Sequence, residues 1–299
     1  MRASVRSALP RAIVIGCALI VIGAQADAQQ TRAEEPVLRA HVLTPGAPLK
    51  LFIPSGTVQL IGWDRDSIVI RGRVPSPARL LMGGSSGAGF KVVIDQRDDN
   101  APVASHLSIY MPRTSQVSLK TVDAVTTSTD VGGWFYTVSG SVHITGTVST
   151  IDAEAMSGDI DLDAITPWAR AKTGKGHLVI RGAPQDLDAS TISGNLDVAT
   201  STIAHGRFTS VSGDIRYAAA MSPRSLFEFS NHSGVVDLLL PHDVSARFEL
   251  SSVEGGIDNG FVQLRPTAAG VHNLQLSLGT GSADVTVRTF KGMVRLRSR

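Results

Sequence analysis

The sequence predicts an all-β chain, most of which is a parallel β-solenoid, or β-helix, with coils of about 18 to 21 residues. Two observations carry this prediction. The first is an alternation of apolar and polar residues with the period of two expected of a strand. The second is an internal repeat marked by glycines at intervals of 18, 18, 18, 19, 21 and 21 residues: Gly140, Gly158, Gly176, Gly194, Gly213, Gly234 and Gly255.

The first 28 residues have the pattern of a secretory signal peptide. Three arginines precede an apolar run over residues 12–23, and small residues alternate after the run. We expect cleavage after Ala28, with Ala26 as the alternative, and export to the periplasm or cell surface of a bacterium. The only cysteine, Cys17, lies within the run. Lipid anchoring there is the less favoured alternative, because only about five apolar residues separate Cys17 from Arg11.

The charge balance argues against a nucleic-acid partner. Removal of the signal peptide takes away three arginines and Asp27, so the 28 basic and 26 acidic residues of the chain become 25 of each. A nucleic-acid-binding protein would carry a marked basic excess. The mature chain also has no cysteine for a disulfide, and we expect no transmembrane helix in it. Its oligomeric state stays open.

Residues 29–125 are predicted to be an irregular β-rich leading section of the same architecture that caps one end. Residues 55–60 already show the turn and the inward pattern of the repeat. The glycine-rich stretch 83–89 is interpreted as a hairpin loop between two strands. Strand signals without strict repetition cover residues 37–43, 49–53, 57–63, 67–74, 90–95, 106–111 and 116–122.

Residues 126–299 are predicted to hold the repeat and a C-terminal cap. Inward-facing residues lie an even number of positions after each glycine and an odd number before it. This change of alternation means that the chain bends at the glycine, and we expect each glycine to supply a positive φ. One inward column lies two positions after the glycine: Val142, Ile160, Leu178, Leu196, Ile215, Val236 and Ile257. A second lies five positions before it: Phe135, Ala153, Ala171, Ala189, Phe208, Phe229 and Leu250.

Three closing strands are predicted over residues 273–278, 282–287 and 292–296. The ends of a solenoid expose unpaired strand edges, so a closing element is expected. A basic cluster would protect this edge, and its contact with anionic lipid is the alternative. The cluster comprises Arg288, Lys291, Arg295, Arg297 and Arg299.

The strongest group of candidate site residues is Asp159, Asp161 and Asp163, which alternate along one strand and so point the same way. Such a row can hold a hard cation or take part in glycoside hydrolysis. A solvated strand face is the interpretation we favour.

Stacking of equivalent positions predicts contacts between coils. His143 is expected one coil from Asp161. With Ser141 nearby, these residues would be catalytic only beside a substrate pocket, and we favour a flat solvent face. Arg216 is expected between two acids, Asp197 and Asp237.

No motif of established chemistry is present. The sequence lacks a Gly-x-Ser-x-Gly elbow, a phosphate-binding glycine loop, a His-Glu-x-x-His motif and a cysteine pair for zinc. We therefore predict no catalytic residue, no metal ligand and no cofactor. Trp63, Trp134 and Trp168 could stack on sugars, but they lie in different sections, and we interpret them as burying or capping coils.

Three features resemble the bacterial putative-adhesin domains, a β-solenoid family of envelope proteins. They are Ser-Gly-Thr-Val-Gln-Leu-Ile-Gly-Trp-Asp at residues 55–64, Leu-Ser-Ile-Tyr-Met-Pro at residues 107–112, and the successive Val-Ser-Gly and Ile-Ser-Gly turns. The resemblance covers most of the mature chain. It implies an exported β-rich protein that is not an enzyme, and it supplies no catalytic residue.

The leading hypothesis is a non-enzymatic structural or interaction protein of the envelope, adhesin-like, with an unknown envelope protein or glycan as partner. The alternative is a polysaccharide lyase or hydrolase on a β-helix, which would need a groove with acids and lysines or arginines on adjacent coils. A sensory role in the envelope is a third hypothesis. We expect any groove in the wider C-terminal coils, where aromatic residues enter: Phe208, Phe227, Phe229 and Phe248.

Overall fold

The computed structural model describes residues 34–85, 88–96, 103–200, 203–261 and 272–299, which contain strands and no helix. They belong to one compact unit, Ala33–Arg299. The predicted signal peptide lies outside the described residues. The strands that precede the repeat are β1 (Glu34–Val42), β2 (Pro48–Phe52), β3 (Ser55–Trp63), β4 (Ser67–Pro75), β5 (Arg79–Ser85), β6 (Gly89–Asp95), β7 (Ser105–Pro112), β8 (Gln116–Lys120) and β9 (Asp123–Thr129).

The strands of the repeat are short and follow one another closely. They are β10 (Gly133–Thr137), β11 (Val142–Thr147), β12 (Ile151–Ala155), β13 (Ile160–Thr173), β14 (Leu178–Ile180), β15 (Ala183–Thr191), β16 (Leu196–Val198), β17 (His205–Ser210), β18 (Ile215–Tyr217), β19 (Leu226–Asn231), β20 (Val236–Leu240), β21 (Ala246–Ser252), β22 (Ile257–Asn259), β23 (Asn273–Leu278), β24 (Ala283–Thr289) and β25 (Val294–Ser298).

The strands pair in two long parallel ladders, and each coil contributes one strand to each ladder. In spatial order, the first ladder is β6, β2, β8, β10, β12, β13, β15, β17, β19, β24 and β21. The second ladder is β7, β3, β9, β11, β13, β14, β16, β18, β20, β25 and β22. Antiparallel strands flank the ends: β5 on β6, β4 on β7, β1 on β4 and β23 on β21. The predicted all-β fold with parallel pairing is confirmed.

The register of the ladders reproduces the alignment on glycine. Ile160 pairs with Val142 and Leu178 in the second ladder. Ala171 pairs with Ala153 and Ala189 in the first. Both predicted columns are buried, except that Ile257 in the last coil is only partly buried. The alternation of side chains along each strand therefore places one continuous core between the ladders.

Aromatic side chains fill this core where the alanine column ends. The rings of Phe208 and Phe229 stack with centroids 4.8 Å apart, and Tyr217 meets Phe229 edge-on at 5.9 Å. The Tyr217 hydroxyl donates to the carbonyl oxygen of Ala220 at 2.9 Å, and burial raises the pKa of Tyr217. The four phenylalanines noted in the sequence are all buried.

The repeat glycines are needed for close approach between coils and not for their φ angle, which corrects the prediction. None of them is among the glycines that adopt a positive φ in the described chain. A Cβ added at Gly194 would lie 2.6 Å from the carbonyl carbon of Gly176 and closer still to its oxygen. Gly158, Gly213 and Gly234 face the same obstacle in the neighbouring coil. Any side chain in this column would therefore separate the coils.

The position three residues before every repeat glycine except Gly158 holds a buried polar side chain that the sequence analysis did not predict. Thr191 accepts a hydrogen bond from Gly194 N at 3.0 Å. Asn231 accepts from Gly234 N at 3.0 Å and donates to the carbonyl oxygen of Gly213, one coil away, at 2.9 Å. Thr137, Thr173 and Ser210 accept from the turn amides in the same way. These side chains pair turn amides that would otherwise be buried without a partner.

The last two strands are inserted between two earlier coils, so of the three predicted closing strands only the first, β23, lies at the end of the stack. β24 pairs with β19 on one side and β21 on the other, and β25 pairs likewise with β20 and β22. The outer coil at this end is therefore β21 with β22, flanked by antiparallel β23. The physical reason is that this segment is itself a repeat unit: Gly292 stands in the glycine column, with Val294 two positions after it and Val287 five before it.

The insertion also gives the basic cluster acidic neighbours, so it does not protect an edge as predicted. Arg295 pairs in register with Asp237 on one side and Asp258 on the other. Arg297 donates from Nε to Asp237 at 2.8 Å, and the nitrogen of Lys291 lies 3.7 Å from Glu254.

The leading section repeats this arrangement at the opposite end. β2 and β3 pair in parallel with β8 and β9 on one side and with β6 and β7 on the other. The first coil in sequence therefore lies between two later coils. The antiparallel pair β5–β6 forms the predicted hairpin, although residues 86–87 of its loop lie outside the described residues. The predicted boundary at residue 125 falls within β9.

Candidate binding surface on the first ladder

Outward-facing residues of the first ladder form two parallel rows that begin on β13 and continue over the coils stacked after it. The row eight or so residues before the glycines is Trp168, Asp186, His205, Leu226 and Asp284, each paired in register with the next. The row two residues further along the strands is Arg170, Asp188, Arg207, Glu228 and Thr286. We call these two rows the outer face. Their alternation with core residues follows from the period-two pattern of each strand.

An open groove of about 520 Å³ runs along the outer face, from Trp168 in β13 to Asp284 and Arg288 in β24. The Trp168 side chain is 40% exposed, and Leu226 is 49% exposed. The Thr166 hydroxyl holds the backbone of Trp168, because it donates to the Trp168 carbonyl oxygen at 3.0 Å and accepts from Trp168 N at 3.3 Å. The groove thus presents two apolar side chains among ionised ones.

Opposite charges alternate from coil to coil along the second row. Asp152, which precedes Arg170 in register, lies 4.0 Å from it, and Arg207 donates to Glu228 at 3.3 Å. Arg288 approaches the other oxygen of Glu228 at 3.8 Å. Exposed pairs of this kind contribute at most about 1 kcal/mol each, so they help to set the register more than they stabilise the fold.

The closest polar contact in the groove joins His205 and Asp186, whose Nδ1 and Oδ1 atoms are 2.6 Å apart. A carboxylate beside one ring nitrogen orients the imidazole and leaves the other nitrogen available to a ligand. Thr286 is the one hydroxyl side chain among the described residues that line the groove. Arg207 lies in register between Asp188 and Glu228, so a guanidinium separates these two carboxylates.

The aspartates singled out in the sequence lie on the second ladder and at its turn, away from the groove. Asp159 accepts a hydrogen bond from the backbone N of His177, one coil away, at 2.7 Å. Asp161 forms an ion pair with Arg181 and lies 3.3 Å from His143. These contacts connect neighbouring coils. Asp163 is exposed farther along the same strand.

The predicted contacts between coils are confirmed in register. His143 pairs with Asp161, and Arg216 lies between Asp197 and Asp237. The side-chain partner differs in one case, because Asp237 forms its ion pair with Arg297 from the inserted coil.

The three tryptophans have separate surroundings. Trp63 donates from its indole nitrogen to the Ser67 carbonyl oxygen at 2.9 Å and packs against Tyr110. Trp134 stacks on Tyr136 with centroids 5.7 Å apart. Trp168 alone of the three lines the groove.

The groove residues other than Trp168 were missed as a candidate site, although a signal exists. The sixth residue before each glycine alternates in charge over five coils: Asp152, Arg170, Asp188, Arg207 and Glu228. Read on its own, each of these residues is an ordinary exposed charge. Only the register of the ladder places them in one line.

The described part of the chain contains neither a candidate metal-binding cluster nor a candidate membrane-spanning helix. No group of three or more histidine, cysteine, aspartate or glutamate side chains is placed there to hold a metal ion. No helix within those residues has the length and apolar character needed to cross a bilayer.

Comparison with known proteins identifies the family. No curated protein sequence matches the chain. The chain is similar to the crystal structure of a putative adhesin from Bacteroides fragilis, with 11% identity and a TM-score of 0.49 over 87% of this chain and 96% of that one. It is also similar to a putative cell adhesion protein from Clostridium sporogenes, with 9% identity and a TM-score of 0.26 over 89% of this chain and 100% of that one. The model of the Toastrack DUF4097 family matches residues 104–297, more than half of the 299 residues. The chain therefore belongs to the Toastrack DUF4097 family.

Proposed function

We propose that this chain is an exported, non-enzymatic interaction protein of the bacterial envelope, adhesin-like in that it binds an extended glycan in the groove. The observation that carries the proposal is the exposed ring of Trp168 at one end of the groove, beside the charged rows of the outer face. An indole offers an apolar face on which a sugar ring can stack. Ionised side chains along the same groove supply donors and acceptors for sugar hydroxyls.

The length of the groove favours a polymer over a small ligand. Trp168 and Asp284 are separated by four coil-to-coil steps in the ladder, and each step is about 4.8 Å. A path of this length, open to solvent at the surface, accommodates several consecutive units of a chain.

The finer description of the fold belongs to the same proposal. We infer that the stacked coils form a parallel β-solenoid, because strands one repeat apart pair in register along both ladders. We also infer that residues 1–28 are removed on export. Amino-terminal sequencing of the protein recovered from the envelope tests this, and an intact first residue would contradict it.

The binding proposal is tested by titrating purified envelope polysaccharides into the mature protein in a calorimeter. We expect the Trp168→Ala variant to bind roughly tenfold more weakly, because stacking on an aromatic ring is worth about 0.5–1.5 kcal/mol beyond burial. Trp134→Ala is the matched control, since Trp134 lies on the same ladder but outside the groove. Equal affinity of the two variants would contradict the proposal.

A polysaccharide-acting enzyme is the second candidate, because the groove brings together acids, arginines and a histidine from adjacent coils. His205 oriented by Asp186 would be its general base. The placement of Arg207 between Asp188 and Glu228 disfavours a hydrolase in particular, since glycoside hydrolysis needs two carboxylates that flank the bond. Release of new reducing ends or unsaturated products by the wild type, abolished in His205→Ala, would establish the enzyme and refute the non-enzymatic proposal.

A further inference from the structure

A column of exposed apolar side chains runs along the turn edge of the stack, two residues before the repeat glycines. Their exposed fractions range from 37% to 64%. Each backbone N of this column bonds to the coil before it in the stack, as from Ile192 to Thr173 and from Phe290 to Asn231. We call the apolar members of this column the apolar ridge: Met156, Ile192, Val211, Phe290 and Val253. Between Val211 and Phe290 the same position is His232, whose ring stacks on Phe290 with centroids 5.1 Å apart.

The ridge is separate from the groove. On each strand of the first ladder, the groove rows lie eight and six residues before the glycine, and another outward row comes between them and the ridge. That row contains Lys172, Ser190 and Thr209. The ridge therefore needs a different ligand from the one proposed for the groove.

A notch interrupts the ridge where Gly174 takes the place of a side chain between Met156 and Ile192. The notch has a volume of about 570 Å³. Lys172 and Lys175 line it and form no ion pair among the described residues. Glu154 is the one acid in its lining, so the notch carries a net positive charge.

We propose that the apolar ridge and its notch dock this protein onto an anionic lipid surface. Exposed apolar side chains that project in a line along a rigid edge can enter the interfacial region of a bilayer together. The two lysines beside the notch lie where they would meet anionic headgroups. This combination of an apolar row and unpaired cations is the charge complementarity that selects a lipid surface over a second copy of the chain.

The direction of the ridge also determines how the stack of coils would lie on the membrane. From Met156 to Val253 the ridge follows six coil-to-coil steps, roughly 29 Å at about 4.8 Å per step. A ridge that runs along the stacking direction places that direction parallel to the membrane plane. The outer face, on the neighbouring side of the same ladder, then stays accessible to its own ligand.

Flotation of the mature protein with vesicles tests the proposal. We expect binding to vesicles of equal phosphatidylglycerol and phosphatidylcholine, and at least tenfold weaker binding to phosphatidylcholine alone. Met156→Ser combined with Ile192→Ser should weaken binding to the anionic vesicles roughly tenfold. Lys172→Gln combined with Lys175→Gln should also weaken binding roughly tenfold and reduce its dependence on salt.

The matched control is Val125→Ser combined with Ile165→Ser, because these side chains are 52% and 58% exposed and lie outside the ridge. Circular dichroism shows that each variant is folded before it is assayed. Failure of the wild type to bind anionic vesicles would overturn the proposal, and so would equal losses in the ridge and control variants. A change of oligomeric state in the ridge variants, with vesicle binding intact, would assign the ridge to a second copy instead.

Discussion

Replacement of Gly194 by alanine tests whether close approach between coils is what the repeat glycines provide. The added Cβ would lie 2.6 Å from the carbonyl carbon of Gly176, whereas Cβ atoms essentially never come within 3.0 Å of such a neighbour. The obstacle is backbone, which cannot rotate aside as a side chain can. The two coils must therefore move apart at this turn.

The expected loss of stability follows from the hydrogen bonds on either side of that turn. Ser193 N donates to Gly174 O at 3.0 Å, and Leu178 N donates to Asn195 O at 2.9 Å. A hydrogen bond contributes about 0.5–1.5 kcal/mol net, so loss of both predicts a loss of about 1–3 kcal/mol in the free energy of unfolding. Urea denaturation followed by tryptophan fluorescence and circular dichroism measures this loss.

Gly256→Ala is the matched control, because nothing lies within 4 Å of a Cβ added there and its φ is not positive. Alanine at this position should be neutral or should stabilise the protein by up to about 1 kcal/mol, through a less flexible unfolded chain. If Gly194→Ala and Gly256→Ala unfold at the same urea concentration, the close-approach argument fails.

Three further predictions address the turns, the acid response and the inserted strands. Thr191→Val should cost about 1–3 kcal/mol in urea denaturation, because the Gly194 amide loses its buried acceptor; Thr209→Val is the control, and equal losses would contradict the capping role. Asp130→Asn should reduce the loss of stability between pH 7 and pH 2.5. The Thr147 amide, followed by the Arg113 guanidinium, lowers the pKa of Asp130, so its carboxylate stabilises the fold above about pH 4 and this contribution disappears on protonation; an unchanged difference between the two pH values would contradict this. Val287→Asp should expose β19 and β21 together to hydrogen exchange, since β24 pairs with both, whereas exchange confined to β24 and β25 would contradict the insertion.

The periodic part of the fold could be predicted from the sequence because each coil must bury apolar side chains at the same positions. The columns that contain Ile160 and Ala171 are inward in every coil, so the alternation alone identifies them. The same alignment contains two further signals. Gly292 with Val294 marks one more coil, and the buried threonine at Thr191 recurs as a small polar residue in most coils.

The order of the coils could not be predicted in this way. Because all coils share one inward pattern, the pattern makes any coil an acceptable neighbour for any other. Charge distinguishes them: direct stacking of the last two sequence repeats would place Asp237 against Asp258, and the inserted coil puts Arg295 between them. Such a preference becomes visible only when the pairing of distant segments is known.

For the candidate groove, only the residue types that line it could be predicted from the sequence. Trp168 was interpreted as burying or capping a coil, with stacking on a sugar as the alternative, and the enzyme hypothesis named the residue types that the groove brings together. The expected location after Gly213 was only partly right, because the groove also draws on β13 and β15, which precede that glycine. The 19-residue interval between Gly194 and Gly213 aligns His205 with Asp186, since each lies eight residues before its glycine, but the sequence alone did not show that the two side chains share a groove.

The interleaved ends restrict how such a protein can change in length. A coil can be added or removed between β11 and β18, where each coil contacts only its neighbours in sequence and a new one meets the same surfaces as the old. At either end, an extra unit would have to enter between strands that already pair on both sides. Variation in the number of repeats is therefore confined to the middle of the stack, which is also where the notch and much of the groove are found. A change in coil number would lengthen or shorten these surfaces while both ends kept their present construction.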